Sequence, residues 1–295
     1  MKWKKTLMAI VSALLLLLSL TACGGETKPT ETPPDPLKAA MENLQTVENL
    51  QAEVEMDMTM TVNGETVDTK TTMDMIYYVE PLRMLMEMTS IANGETVSLT
   101  AVSEQLEDSI DVYYADAENW YYASLDLDEA DSLEAYGYRP DELMGDYNYT
   151  ADGTEEVDGV TLYKYNCELT GEAMQEAMNS SGALNSMGDQ GISTEDMEKM
   201  LESLSGVSIK ASVWISEASM LPVRYEMDMT DLMNALMANV VETIAQNAGL
   251  SADDLGIEMS VSKVVAKVKY FNYNSADDFE VPAEVVEYFK GNGDD

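Results

Sequence analysis

The sequence predicts an α+β fold: a strongly curved antiparallel β-sheet, a half-barrel of about ten strands, with helices packed on its concave face. Three observations predict it. Apolar residues alternate strictly with polar ones over long stretches, as in Val54, Met56, Met58, Met60 and Val62 against Glu55, Asp57, Thr59 and Thr61. Asn-Gly pairs separate such stretches and supply the positive φ angles of tight hairpins. Two amphipathic segments, 37–50 and 230–248, are the only helices large enough to cover one apolar sheet face.

The first residues read as an address. Lys2, Lys4 and Lys5 precede an apolar run from Leu7 to Leu20. Fourteen residues at ~1.5 Å each span ~21 Å, short of the ~30 Å hydrocarbon core of a bilayer. Residues 1–22 are therefore expected to be a signal peptide rather than a spanning helix. The run ends in Leu20-Thr21-Ala22-Cys23 followed by Gly24-Gly25, which resembles the lipobox of bacterial lipoprotein precursors. That resemblance implies diacylglycerol on Cys23 and cleavage before it, placing the chain at the extracytoplasmic face of a cell membrane. Residues 23–36 hold Pro29, Pro33, Pro34 and Pro36 and read as an extended tether.

A single domain is expected over residues 37–290. Leu37, Ala40, Met41, Leu44 and Val47 share a helix face. Strands follow near Val67–Tyr78 and through Leu82, Met84, Met86 and Met88, then Val97–Val102, Ile110–Ala115 and Trp120–Leu125. The segments Asn63-Gly64-Glu65-Thr66-Val67 and Asn93-Gly94-Glu95-Thr96-Val97 repeat, one hairpin unit apart. An acidic irregular stretch, 126–146, precedes a turn at Asp158-Gly159 and a strand over Val160–Leu169. Short helices are expected at 172–178 and 197–204, the latter capped by Ser193, with a polar loop at 179–191. Val207 to Ile215 and Val223 to Met229 alternate as paired strands. Thr230 then caps the longest helix. A strand from Glu258 to Tyr273 slips its pattern near Lys263–Val265, where a bulge is expected, and a short helix over Ala283–Phe289 closes the domain.

Composition removes several functions. The 295 residues carry 16 basic and 55 acidic side chains, a net charge of −39, which disfavours any phosphate backbone and hence nucleic acid. With no histidine there is no Ser-His or Cys-His nucleophile and no ordinary zinc site. Ser260-Val261-Ser262-Lys263 spells Ser-x-x-Lys but falls on a strand without companion motifs, so it reads as chance. Asp126, Asp128, Glu129 and Asp131 lack the spacing and glycine of a calcium loop and read as a solvated acidic run. Cys167 sits beside Glu168, an environment that opposes a reactive thiolate. No enzyme, cofactor or metal centre is expected.

The element order on a lipobox tether is similar to the LolA/LppX-like superfamily of bacterial lipoproteins. The Met-rich strands with Asn-Gly turns and the segment Glu156-Val157-Asp158-Gly159-Val160-Thr161-Leu162-Tyr163-Lys164-Tyr165 resemble an uncharacterised group within it. The resemblance implies a concave apolar face that holds lipid or acyl chains, or a sensor of lipid signals. It carries over no functional residue beyond Cys23.

Methionine is the candidate lining. Of 23 methionines, eight lie between Met56 and Met88 at every second position. Met56, Met58, Met60, Met73, Met75, Met84, Met86 and Met88, with Met227 and Met229, can pack a core, line a malleable apolar site, hold Cu(I) or absorb oxidant. Alternate strand residues sit ~6.8 Å apart, so a copper site needs several strands to converge. An empty apolar cavity of ~500 Å³ would cost about 12 kcal/mol, comparable to a domain's whole stability. The face is therefore plugged by the 230–248 helix or occupied by ligand. Tyrosine pairs such as Tyr113-Tyr114 and Tyr121-Tyr122 read as half-buried strand residues with wet hydroxyls, or as rings that stack sugars or rim a lipid mouth. Two functions follow as expectations: a membrane-anchored, non-enzymatic protein binding a lipid or apolar small molecule, or an envelope sensor or protein-interaction module with a fully packed core.

Overall fold

The structure, a computed structural model, describes residues 35–116, 119–126, 144, 148–171, 206–249 and 258–290. The expected signal peptide, Cys23 and the tether lie outside the described residues. So do Asp128, Glu129 and Asp131, the helices expected at 172–178 and 197–204, and the loop between them.

The described chain opens with helix α1 (Pro36–Leu44). Asp35 caps it: its carboxylate accepts the Leu37 N–H at 3.1 Å, and Pro36 occupies the first turn, where its missing N–H is harmless. The helix expected across 37–50 ends at Leu44, because strand β1 (Asn49–Val62) begins soon after. Ten further strands follow: β2 (Glu65–Tyr78), β3 (Arg83–Ala92), β4 (Glu95–Gln105), β5 (Ser109–Asp116), β6 (Asn119–Asp126), β7 (Thr150–Val157), β8 (Val160–Thr170), β9 (Ser208–Ser216), β10 (Pro222–Asp228) and β11 (Met259–Phe271). Helix α2 (Thr230–Ala248) precedes β11, and α3 (Ala283–Lys290) comes last.

All eleven strands form one antiparallel sheet in the order β6-β5-β4-β3-β2-β1-β11-β10-β9-β8-β7. The sheet is open, with β6 and β7 at its edges among the described residues, and fits a half-barrel. The strand beyond the expected ten is β7, in which every residue is exposed and no apolar alternation exists to reveal it. Three hairpins turn on the expected pairs. Asn63 and Gly64, Asn93 and Gly94, and Asp158 and Gly159 all have positive φ, the type I′ geometry that matches strand twist.

The bulge in β11 lies slightly earlier than expected. Thr59 pairs Lys263 and Met60 pairs Val261, so Ser262 is the extra residue. The side chain of Asn234 on α2 compensates for the interrupted ladder. Its amide accepts the Val261 N–H at 2.8 Å and donates to the Val261 carbonyl at 2.7 Å. Thr230 Oγ1 accepts the Val264 N–H at 2.9 Å. Thr230 is the first residue of α2 rather than its cap. The capping carboxylate is Asp228, which accepts the Thr230 N–H and hydroxyl at 3.0 and 2.6 Å. These bonds hold the Asp228 carboxyl below the ordinary aspartate range.

The strand alternation places two distinct cores. On one face, a row of paired residues crosses eight strands: Tyr165, Val213, Tyr225, Val268, Val54, Met73, Met88 and Leu99. Ala40 and Leu44 of α1 pack in the same cluster. The neighbouring cluster on that face joins Met56, Met58 and Met60 to Met229, Leu232, Met233 and Met237 at the start of α2. The helix expectation needs one correction. The closing helix α3 packs on the opposite face, where Val285 with Phe279 and Val281 covers Val102 and Tyr113. That face of β2–β6 is apolar too, through Ile76, Leu85 and Trp120, so it needs a cover of its own.

Candidate functional site

The ten candidate methionines share one sheet face but divide into two groups. Met56, Met58, Met60 and Met229 are buried with α2, and Met227 packs half-buried against them. Over this part of the face the helix is the plug. Met73 and Met88 are buried in the other cluster, with Met75, Met84 and Met86 half-buried at its margin. The contiguous candidate site is this second group, on β2 and β3, extended over β4–β6.

Strand pairing gives its shape. Tyr77, Met84, Ser103, Val112 and Ala123 form one row. Met75, Met86, Ala101, Tyr114 and Tyr121 form the next. Met73, Met88, Leu99 and Asp116 form the third. The outer end of each row, toward β6, is more exposed than its start on β2. Met73 is 5% exposed, whereas Tyr114 and Tyr121 are 38% and 40% exposed. The two tyrosine rings stack at 5.0 Å with an interplanar angle of 15° at the outer end of the middle row. Tyr121 donates a long 3.5 Å hydrogen bond to Asp116, whose charge pushes the phenol above its ordinary range.

A polar strip borders the methionines. Thr71 and Ser90 are register partners, both buried, and the Thr71 hydroxyl donates to Ser90 at 3.0 Å. Thr69 is buried beside them and its hydroxyl has no partner. Carboxylates of the same strands, Asp74 and Glu87, alternate with the methionines and so point to the other face.

The remaining candidates read as structure. Cys167 is buried in the α2 cluster, and burial pushes its thiol up to about 11, out of the reactive range. Ser260 and Ser262 lie exposed on β11, and Lys263 pairs with Asp57 at 3.0 Å, so Ser-x-x-Lys forms no nucleophilic arrangement. Among the described residues no cluster of carboxylate or thiol ligands could hold a metal ion, and no helix is long and apolar enough to cross a membrane.

Sequence reasoning offered the tyrosine pairs as a rim but missed that Tyr114 stacks on Tyr121, and it missed the Thr-Ser strip. Counting by twos from Met73 and Met88 reaches Thr71 and Ser90, so the strip had a signal. The tyrosines come in adjacent pairs, one ring on each face, and nothing local says which face is left open.

No curated protein matches this chain. Among solved structures it is similar to the lipoprotein LppX of Mycobacterium tuberculosis, at 14% identity and a TM-score of 0.40, over 83% of this chain and 96% of that one. It is similar to LprF of Mycobacterium bovis at 11% identity and a TM-score of 0.41, over 84% and 94%. A LolA superfamily protein of Nitrosomonas europaea matches at 11% identity and a TM-score of 0.19, over 85% and 94%. A family of unknown function, DUF6612, matches residues 35–290, and this chain belongs to that family.

Proposed function

We propose that this protein is a non-enzymatic lipoprotein, anchored through diacylglycerol on Cys23 at the extracytoplasmic face of a membrane. Residues 35–290 act as one domain that holds an apolar or lipidic ligand in a trough over the methionine face of β2–β6. The observation that carries the reading is the choice of residues on the two faces of the same strands. The face covered by α3 packs Ile76, Leu85, Val102 and aromatic rings, and its cluster contains no methionine. The trough face carries Met73, Met75, Met84, Met86 and Met88. Packing alone suits β-branched and aromatic residues on strands. Methionine, flexible and polarizable, suits an apolar guest whose shape varies. The half-buried Met75, Met84 and Met86 lie where such a guest gains contact.

Native mass spectrometry of residues 35–295, purified without detergent and followed by solvent extraction, tests this reading. The start at Asp35 keeps the cap of α1. A copurified lipid of defined mass, lost on Met86→Glu, is expected. A clean apo mass, with no saturable binding of a fluorescent acyl probe, sinks it and turns the search to envelope protein partners.

A further inference from the structure

We infer that the methionines of β2 and β3 form a binding site for a soft monovalent cation of the Cu(I) class. The sequence alone left this reading short of converging strands, and the register supplies them. Met73 lies directly opposite Met88, and Met75 directly opposite Met86, all four on one face. Directly opposite residues hold their Cβ atoms ~5 Å apart, and alternate residues on one strand are ~6.8 Å apart. The four Cβ atoms therefore mark a rectangle whose corners lie about 4.2 Å from its centre. A methionine sulfur two bonds beyond Cβ, plus a metal–sulfur bond of ~2.3 Å, gives each side chain roughly 5 Å of reach. Thioethers from both pairs can meet at one point above the sheet.

The surroundings select for softness. Thioether sulfur favours Cu(I) over hard divalent cations. The hard ligands of these strands, Asp74 and Glu87, stand on the opposite face. Met73 and Met88 are buried, while Met75 and Met86 are half-buried and give a cation its way in. A net charge of −39 raises the local concentration of any small cation. The opposite face of the same strands packs Ile76, Leu85 and Val102 in a smaller cluster without one methionine, so strand packing here does not require thioethers.

The test is a Cu(I) titration of the full chain in a Cys23→Ser, Cys167→Ala background, which removes both thiols. Under ascorbate and without oxygen, the protein competes with bicinchoninate for the metal. One Cu(I) per chain and a sulfur-only coordination shell in X-ray absorption are expected. Met75→Leu with Met86→Leu, which conserves side-chain volume, is expected to weaken binding at least tenfold. Met237→Leu with Met259→Leu, in the α2 cluster, is expected to leave it within twofold. No withdrawal of Cu(I) from the competitor overturns the inference. So does a shell containing nitrogen or oxygen, or equal weakening by both pairs of substitutions.

Discussion

Lys290 Nζ, at the last residue of α3, stands 2.7 Å from Asp111 Oδ2 on β5. Asp111 is 2% exposed, and its other oxygen accepts the Ser124 and Tyr122 hydroxyls at 2.9 and 3.1 Å. The pair fastens the C-terminal segment to the sheet face opposite the methionines. Upstream, Arg83 pairs with Asp278 at 2.9 Å, donates to the Phe279 carbonyl and lies over the Phe279 ring.

Breaking the Lys290 contact is expected to loosen α3 before the rest of the sheet. Burial raises the Asp111 carboxyl, but the hydrogen bonds and charge of Lys290, with Ser124 and Tyr122, outweigh it and hold the group below its ordinary 3.8. The same contact raises Lys290 above its ordinary 10.5. A depressed carboxyl contributes stability above its unfolded value and loses it as pH falls through the folded one. A raised ammonium contributes below its unfolded value and loses it as pH rises through the folded one. The contact is thus at full strength from about pH 5 to pH 9.5. Lys290→Met is expected to reduce stability by about 1 kcal/mol at pH 7, a small figure because the ammonium is 42% exposed. The difference from the native chain should shrink as the pH falls below the ordinary 3.8 and through the depressed folded value. Urea melts at pH 7 and pH 3, with hydrogen exchange across 283–290, check both points.

Asn234 is the residue that lets α2 sit on the β11 bulge. Asn234→Leu keeps the volume but leaves the Val261 N–H and carbonyl without their side-chain partner. Val261 is buried, so the expected loss is about 2–6 kcal/mol, taking about 1–3 for each of the two stranded groups. Asn234→Asp can still accept the N–H and should lose less. Chemical denaturation of the three proteins should rank them native, Asp, Leu.

The Cys167 thiol, pushed up to about 11 by burial, should be nearly inert in the folded chain. At pH 8 only about one molecule in a thousand carries the thiolate. Labelling by a disulfide reagent is expected to follow unfolding rather than precede it. Rapid labelling in native buffer would show that the α2 cluster opens readily.

On the outer face, Glu53, Asp74 and Glu87 are consecutive register partners on β1, β2 and β3. Like charges directly opposite destabilise a sheet. Glu87→Lys is expected to raise the melting temperature by about one or two degrees at low salt, and less at high salt. A lower melting temperature would show that the row is held by something other than its charges.

Local pattern and long-range packing divide this fold cleanly. The sequence by itself determined ten of the eleven strands and the hairpins at Asn63-Gly64, Asn93-Gly94 and Asp158-Gly159. Period-two alternation is a property of a few consecutive residues, and Asn63-Gly64 and Asn93-Gly94 set the register of β1–β2 and β3–β4 through their own φ angles. It also determined that the methionines of β1 and β2 share a face, because the parity runs unbroken across the Asn63-Gly64 hairpin, whereas the pairing of Met73 with Met88 across the 79–82 turn is a property of the folded sheet. Only the tertiary structure decided that β1 pairs with β11, more than two hundred residues away, since no local signal names a distant edge. Only it decided that α2 plugs Met56, Met58 and Met60 while Met75, Met84 and Met86 stay half-buried. The same holds for α3. On β2–β6 both parities are apolar, and which face a helix covers follows from where the chain arrives after β11, not from the residues it covers.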